Sequence, residues 1–290
     1  MSKIGIAGLQ LEAINGDNTD SIEAEIDAVA RRYQWVDMVV LGELNALGSN
    51  LKFAQPMPGG EFEARFSEIA KRHGIWLIPG SIMEKSGGQY FNTAPVINPD
   101  GEVIARYRKQ FPWLPYENGV TPGTEAVVFD VPGVGRFGVS ICYDMWFPET
   151  LRALSCMGAE VIIHPTLTST IDREVEQCMV RAHAASHQCY FFDVNVAGPL
   201  GVGQSIVAGP GGEVIHCAGR DREIIPLRLD LSYVRDVRAN GWHGLGQPLK
   251  SFRDSTVPFP CYEKSYSSPA LDALGPIKVA EAETGRKTRE

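Results

Sequence analysis

The chain has 290 residues, 44% of them apolar and 21% charged, with a formal net charge of −8; this is the balance of a folded globule rather than of a disordered or membrane chain. No apolar stretch is long enough to span a bilayer, and an acidic chain without basic runs counts against nucleic acid or anionic membrane as main partners. The N-terminus, MSKIGIAGLQLEAINGD, reads as a strand without the cleavage pattern of a secretory leader, so a cytoplasmic location is expected.

Short β-branched runs predict twelve strands: Lys3–Leu11, Asp37–Leu41, Ile75–Ile82, Val96–Asn98, Val103–Tyr107, Ala126–Val131, Arg136–Ile141, Glu160–His164, Tyr190–Val196, Ser205–Ala208, Glu213–Cys217 and Ile224–Leu229. Between them lie four segments of helical period. Ile22, Ile26, Val29, Ala30 and Tyr33 share one face, and Phe62, Phe66, Ile69, Ala70 and His73 another. Pro148 opens a third helix carrying Leu151 and Leu154, and Val175, Cys178, Met179, Ala182 and Ser186 mark the fourth. Each apolar face is narrow, so these helices should cover sheets in an α/β architecture. Asn98-Pro99-Asp100-Gly101 and Gly209-Pro210-Gly211-Gly212 supply the chemistry for two reversals.

The pattern breaks down after residue 230. One domain over 1–263 is expected, with 264–290 as a tail, extended or laid on a partner subunit. Six cysteines, at 142, 156, 178, 189, 217 and 261, are too sparse for a disulfide framework. Cys156, Cys178 and Cys189 read as small core residues, and without a CxxC pair no structural zinc site or other metal is called for.

Three strand ends carry chemistry. In VGRFGVSICYDMWFPETLRAL an apolar strand stops at Ile141, which leaves Cys142 on the strand-to-helix turn where open α/β sheets place ligands. Glu43 ends the strand of DMVVLGELNALG, where partial desolvation would raise its proton affinity toward a useful range. Lys109 opens a loop rich in aromatic and proline residues, with Glu117 eight positions on. A thiol, a carboxylate and an ammonium together point to acyl transfer.

Those residues bring the chain to a family. From Lys3 to about Tyr262 it resembles the nitrilase superfamily of carbon–nitrogen hydrolases, through GELNALG, YRKQFPW and GVSICYDMWFPE in the family's order. The resemblance implies a four-layer α-β-β-α sandwich and a cofactor-free Glu-Lys-Cys triad of Glu43, Lys109 and Cys142. It also implies an oxyanion held by Lys109 and the Tyr143 amide, Glu117 orienting the lysine, and a homodimer or larger assembly paired through the helices at 148–158 and 172–188. A small-molecule amide is the expected substrate, with Trp113, Tyr143, Trp146 and His164 as substrate-binding candidates. Tyr143 and Asp144 after the cysteine are closer to amidases and carbamoyl-amide hydrolases than to nitrilases proper. Family branches acting on dicarboxylate monoamides commonly carry arginine where this chain has Trp146, which turns the expectation toward an uncharged, aromatic-tolerant or cationic tail.

Other readings stay open. His164, His183 or His187 could serve as base in a Cys-His pair, and His183 with His187 could share a metal, although HAASH lacks the acid of a metalloprotease helix. GPGG at 209–212 lacks the lysine of a phosphate loop. A nitrilase, an N-carbamoyl amine hydrolase, an acyl transferase or a catalytically silent binding protein of the same fold are the alternatives.

Overall fold

The computed structural model describes residues 2–263 and 265–279. Its strands are β1 (Lys3–Gln10), β2 (Met38–Leu41), β3 (Trp76–Ile78), β4 (Ile82–Ser86), β5 (Gln89–Ile97), β6 (Val103–Arg108), β7 (Val127–Val131), β8 (Gly135–Val139), β9 (Val161–Thr166), β10 (Tyr190–Asn195), β11 (Ile206–Ala208), β12 (Val214–Cys217) and β13 (Glu223–Asp230). One sheet runs β13-β1-β2-β3-β5-β4, with β6 also on β5, and the other runs β12-β11-β10-β9-β8-β7.

Period-two alternation on strands buried on both faces sets the layers. In β1 and β2, Ile4, Ile6, Met38 and Val40 face the second sheet, meeting Val161, Ile163, Phe192 and Val194. The intervening Ala7, Leu9, Val39 and Leu41 pack outward on α1 (Thr19–Arg32) and α2 (Glu61–His73) through Ile22, Ile26, Phe62 and Phe66. On the far side, Ile162 and Phe191 pack on α3 (Pro148–Cys156) and α4 (Arg173–His187) through Leu151, Leu154, Val180 and Ala184. The result is the α-β-β-α sandwich expected. At Gly8 the sheets approach so closely that a Cβ would stand 2.8 Å from the Phe192 ring.

Several elements differ from expectation. The strand predicted over Ile75–Ile82 breaks at Pro79-Gly80, where Gly80 takes a φ of +75°. A β4–β5 hairpin follows that the periodicity did not disclose; Gly87 and Gly88, at φ +57° and +81°, make its turn. The two predicted reversals join β5 to β6 and β11 to β12. Past residue 230 the chain continues as α5 (Leu231–Asn240), started by Asp230 accepting from the Ser232 amide and burying Leu231, Val234 and Val237. α6 (Pro248–Arg253) comes next, and α7 (Pro269–Asp272) interrupts the predicted tail, whose positions 264 and 280–290 lie outside the described residues.

α4 is rotated relative to its apolar stripe. It buries Arg173, Glu176, Val180, Ala184 and His187, while Val175 and Cys178 are exposed. Ion pairing on the inner face outweighs the outer apolar residues. Cys189 is buried as expected, but Cys156 and Cys178 lie on the surface. No helix among the described residues is long and apolar enough to cross a membrane.

Candidate active site

β1, β2 and β3 run parallel to one another in one sheet, as do β8, β9 and β10 in the other. Glu43 lies two residues beyond β2 and Cys142 three beyond β8, while Lys109 directly follows β6. The sheets are tied at this end by the Glu43 amide donating to the Thr166 carbonyl at 3.2 Å.

The three predicted residues meet. Lys109 Nζ donates to Glu43 Oε1 at 2.8 Å and to Glu117 Oε2 at 2.6 Å, with Lys109 and Glu43 each 2% exposed. Burial raises Glu43 above the ordinary carboxylate range; Lys109 pulls against this, Glu117 reinforces it, and the Cys142 thiol acts as a further hydrogen-bond neighbour. Burial alone would lower Lys109, but the carboxylates, Glu43 first and then Glu117, outweigh it and hold the ammonium well above its usual value. Burial likewise opposes ionisation of Glu117, yet Lys109 and the Trp113 amide bring it below normal. Burial, then Glu43, push the Cys142 thiol well up, so the resting sulfur is protonated beside a carboxylate able to take that proton.

Cys142 sits on a turn that L-residues rarely adopt. Ile141 is extended, Cys142 has a φ of +47°, and a 3-10 turn over Cys142–Trp146 follows at once. Asp144 pins this turn. Fully buried, it accepts from the Ile141 amide at 2.8 Å, the Phe111 amide at 2.9 Å and the Tyr107 hydroxyl at 2.6 Å. The Cys142 turn and the loop after Lys109 thus share one anchor, and Phe111 stacks on Phe147 across them with ring centroids 3.6 Å apart. Burial pushes Asp144 up to about 6 although all three donors draw it down.

Cys142 opens onto a cavity of about 200 Å³ lined by Trp113, Tyr143, Trp146, Leu167, Thr168 and Glu176 among others. Three of the four substrate-binding candidates therefore line it. His164 does not: it is wholly buried, with Nδ1 2.7 Å from Ser140 Oγ, and is driven down to about 4, burial being the main cause. His183 meets the Met145 carbonyl at 2.8 Å and His187 the His183 carbonyl at 3.0 Å, so both brace α4, and neither lines the cavity.

Sequence reasoning missed four residues that surround the site. Asn92, on β5 ahead of the Val96–Asn98 stretch predicted as strand, donates to Glu43 at 2.7 Å and to Glu117 at 3.0 Å. Tyr107 reaches Asp144 as described, and Thr168, whose Oγ1 lies 4.0 Å from the sulfur, donates to Glu176 at 3.0 Å. The only available signal was polarity at positions a core strand or helix would fill with apolar side chains.

The carbon–nitrogen hydrolase family model matches residues 5–239. Omega-amidase NIT2 of Danio rerio is 30% identical over 259 residues, 82% of this chain and 92% of that protein. Nit3 of Saccharomyces cerevisiae, a member of branch 10 of the nitrilase superfamily, superposes with a TM-score of 0.75 at 26% identity, over 82% of this chain and 94% of its own. A variant of the amidase from Nesterenkonia sp. AN1, with acrylamide added at its active-site cysteine, gives a TM-score of 0.72 at 26% identity, over 81% of this chain and 97% of its own. The chain belongs to the carbon–nitrogen hydrolase family of the nitrilase superfamily, hydrolases of carbon–nitrogen bonds other than peptide bonds.

Proposed function

We propose that the protein hydrolyses a small amide through a thioester on Cys142. Glu43 takes the thiol proton as the sulfur attacks the amide carbonyl carbon, and the oxyanion forms against Lys109 and the Tyr143 amide, which has no acceptor inside its first helical turn. The C–N bond breaks as Glu43 returns the proton to the departing nitrogen, which leaves as ammonia or an amine. Water then attacks the thioester and gives a proton to Glu43; the C–S bond breaks, the sulfur is reprotonated, and a carboxylic acid departs.

The observation carrying this reading is the buried Lys109 ammonium clamped between Glu43 and Glu117 beside a thiol on a cavity wall. The Nesterenkonia amidase, modified at its active-site cysteine, supports the nucleophile assignment by likeness. Ammonia release from a panel of short amides, with intact-protein mass spectrometry of quenched reactions, tests it. The acyl mass should appear on wild type and vanish with Cys142→Ala; turnover by Cys142→Ala at the wild-type rate would remove the assignment.

We further propose that two copies pair through α3 and α4. The outward stripe of α4 supports this, with Val175 47% exposed, as does Met157 at the end of α3, 41% exposed. Light scattering on the purified chain should return at least a dimer, and Val175→Glu should weaken it.

A further inference from the structure

The charges around the cavity are unbalanced in one direction. Its charged lining residues are Asp172 and Glu176, and among the described residues no lysine or arginine lines it. The nearby buried cations are each outnumbered. Lys109 is shared by Glu43 and Glu117, and Arg173 by Asp193 and Glu176. An anionic substrate tail would enter a negative pocket whose lining offers no free counter-charge, an unfavourable arrangement.

Glu176 is built for a positive one. It comes from the inner face of α4, is 3% exposed, and opens on the cavity. One oxygen accepts from Thr168 Oγ1 at 3.0 Å, the other from Arg173 at 3.2 Å. A carboxylate offers about four acceptor sites, so unfilled ones remain. Thr168 stands between Glu176 and the sulfur, 4.0 Å from the latter, which sets the carboxylate a short acyl chain away from Cys142. Trp113, Tyr143 and Trp146 form aromatic walls, and ring faces attract cations.

On the reading that Cys142 is an amide nucleophile, we propose that the enzyme selects short amides bearing a cationic nitrogen a few carbons from the scissile carbonyl, with Glu176 as counter-charge, Asp172 at the rim and the three aromatic rings around it. A series with the same two-carbon spacer separates the charges: 3-aminopropanamide, with its ammonium, butanamide, its neutral isostere, and succinamate, whose carboxylate makes it the anionic member. Calorimetric binding to Cys142→Ala reads selection independently of turnover. The ammonium amide should bind about tenfold or more tightly than butanamide, with succinamate weakest. In enzyme with Cys142 intact, the ratio of kcat/KM for the ammonium amide over butanamide should fall about tenfold or more in Glu176→Gln, which retains an acceptor for Thr168. Should that variant fail to fold, Asp172→Asn and the binding series on Cys142→Ala give the same comparison.

Equal or weaker binding of the ammonium amide than of butanamide overturns the proposal, as does an unchanged kcat/KM ratio in Glu176→Gln. Cys142-dependent ammonia release that favours succinamate also overturns it, while leaving the cysteine amidase reading standing. Release that persists without Cys142 strikes that reading alone, because the binding comparison still decides the charge preference.

Discussion

Tyr107→Phe isolates what holds the Cys142 turn. The hydroxyl donates to Asp144 at 2.6 Å and both residues are fully buried, so its loss deletes one hydrogen bond to a carboxylate, a contact worth about 2 kcal/mol, and leaves Asp144 with two amide donors. A pH dependence follows. Asp144 stands at about 6 in the fold against an ordinary 3.8, so the folded state binds a proton over that interval; its contribution to stability is full below about 3.8 and is lost as pH rises through 6. Removing a donor raises the folded value further. The variant's stability deficit should therefore be largest at pH 8 and shrink at pH 5, where Asp144 is protonated in both proteins. Urea denaturation at the two pH values reads this directly. Tyr107 does not line the cavity, so KM should move little while kcat drops about ten- to a hundredfold as the turn loosens. A deficit of equal size at both pH values, or a kcat matching wild type, would refute the anchoring role.

Other perturbations test other parts. Asn92→Ala takes a donor from Glu43, raising its proton affinity, so the acid limb of kcat/KM should move to higher pH; an unmoved limb would mean Glu43 is not the base. Lys109→Ala leaves Glu43 and Glu117 buried together without their cation, and should lose activity along with about 3 kcal/mol or more of stability by denaturant titration. His164 is held at about 4 against an ordinary 6.5, so it contributes stability above pH 6.5 that is lost as pH falls through 4, about 3 kcal/mol at the limit. His164→Asn should flatten stability over that window, and a profile unchanged by the substitution would contradict the assignment. Gly80→Ala would drive a Cβ to 2.0 Å from the Gly42 carbonyl, next to Glu43, so stability and kcat should both fall; wild-type values for both would show that the backbone yields freely there.

The α/β layering was legible because strands buried on both faces and one-sided helices leave local patterns, and the four-layer order came with the family resemblance. Glu43 and Cys142 were legible too, since each closely follows an apolar strand of a parallel run, whereas Lys109 follows the antiparallel β6 and was marked by its aromatic and proline-rich loop and by the family block YRKQFPW. The β4–β5 hairpin escaped, its Gly87-Gly88 turn being short and the alternation of β5 interrupted by Asn92 and Thr93, which serve Glu43 and Glu84. α4 was misphased for a related reason. Its true inner face carries Arg173 and Glu176, which hydropathy reads as outward and which Asp193 of β10 and Thr168, in the loop just before the helix, draw inward.

Local chemistry in the sequence thus determined the α/β layering and singled out Cys142, Glu43 and Lys109 as a thiol, a carboxylate and an ammonium just past strand ends, because each position is set by a strand and the few residues after it. Tertiary structure decided what surrounds them: Asn92 across two carboxylates, Tyr107 beneath Asp144, His164 locked away from the cavity, and Glu176 opening into it. The first three come from hydrogen bonds between residues far apart in the chain, whose partners exist only once the sheets have closed; Glu176 is held by its near neighbours Thr168 and Arg173 and turns inward because Arg173 pairs with Asp193 of β10.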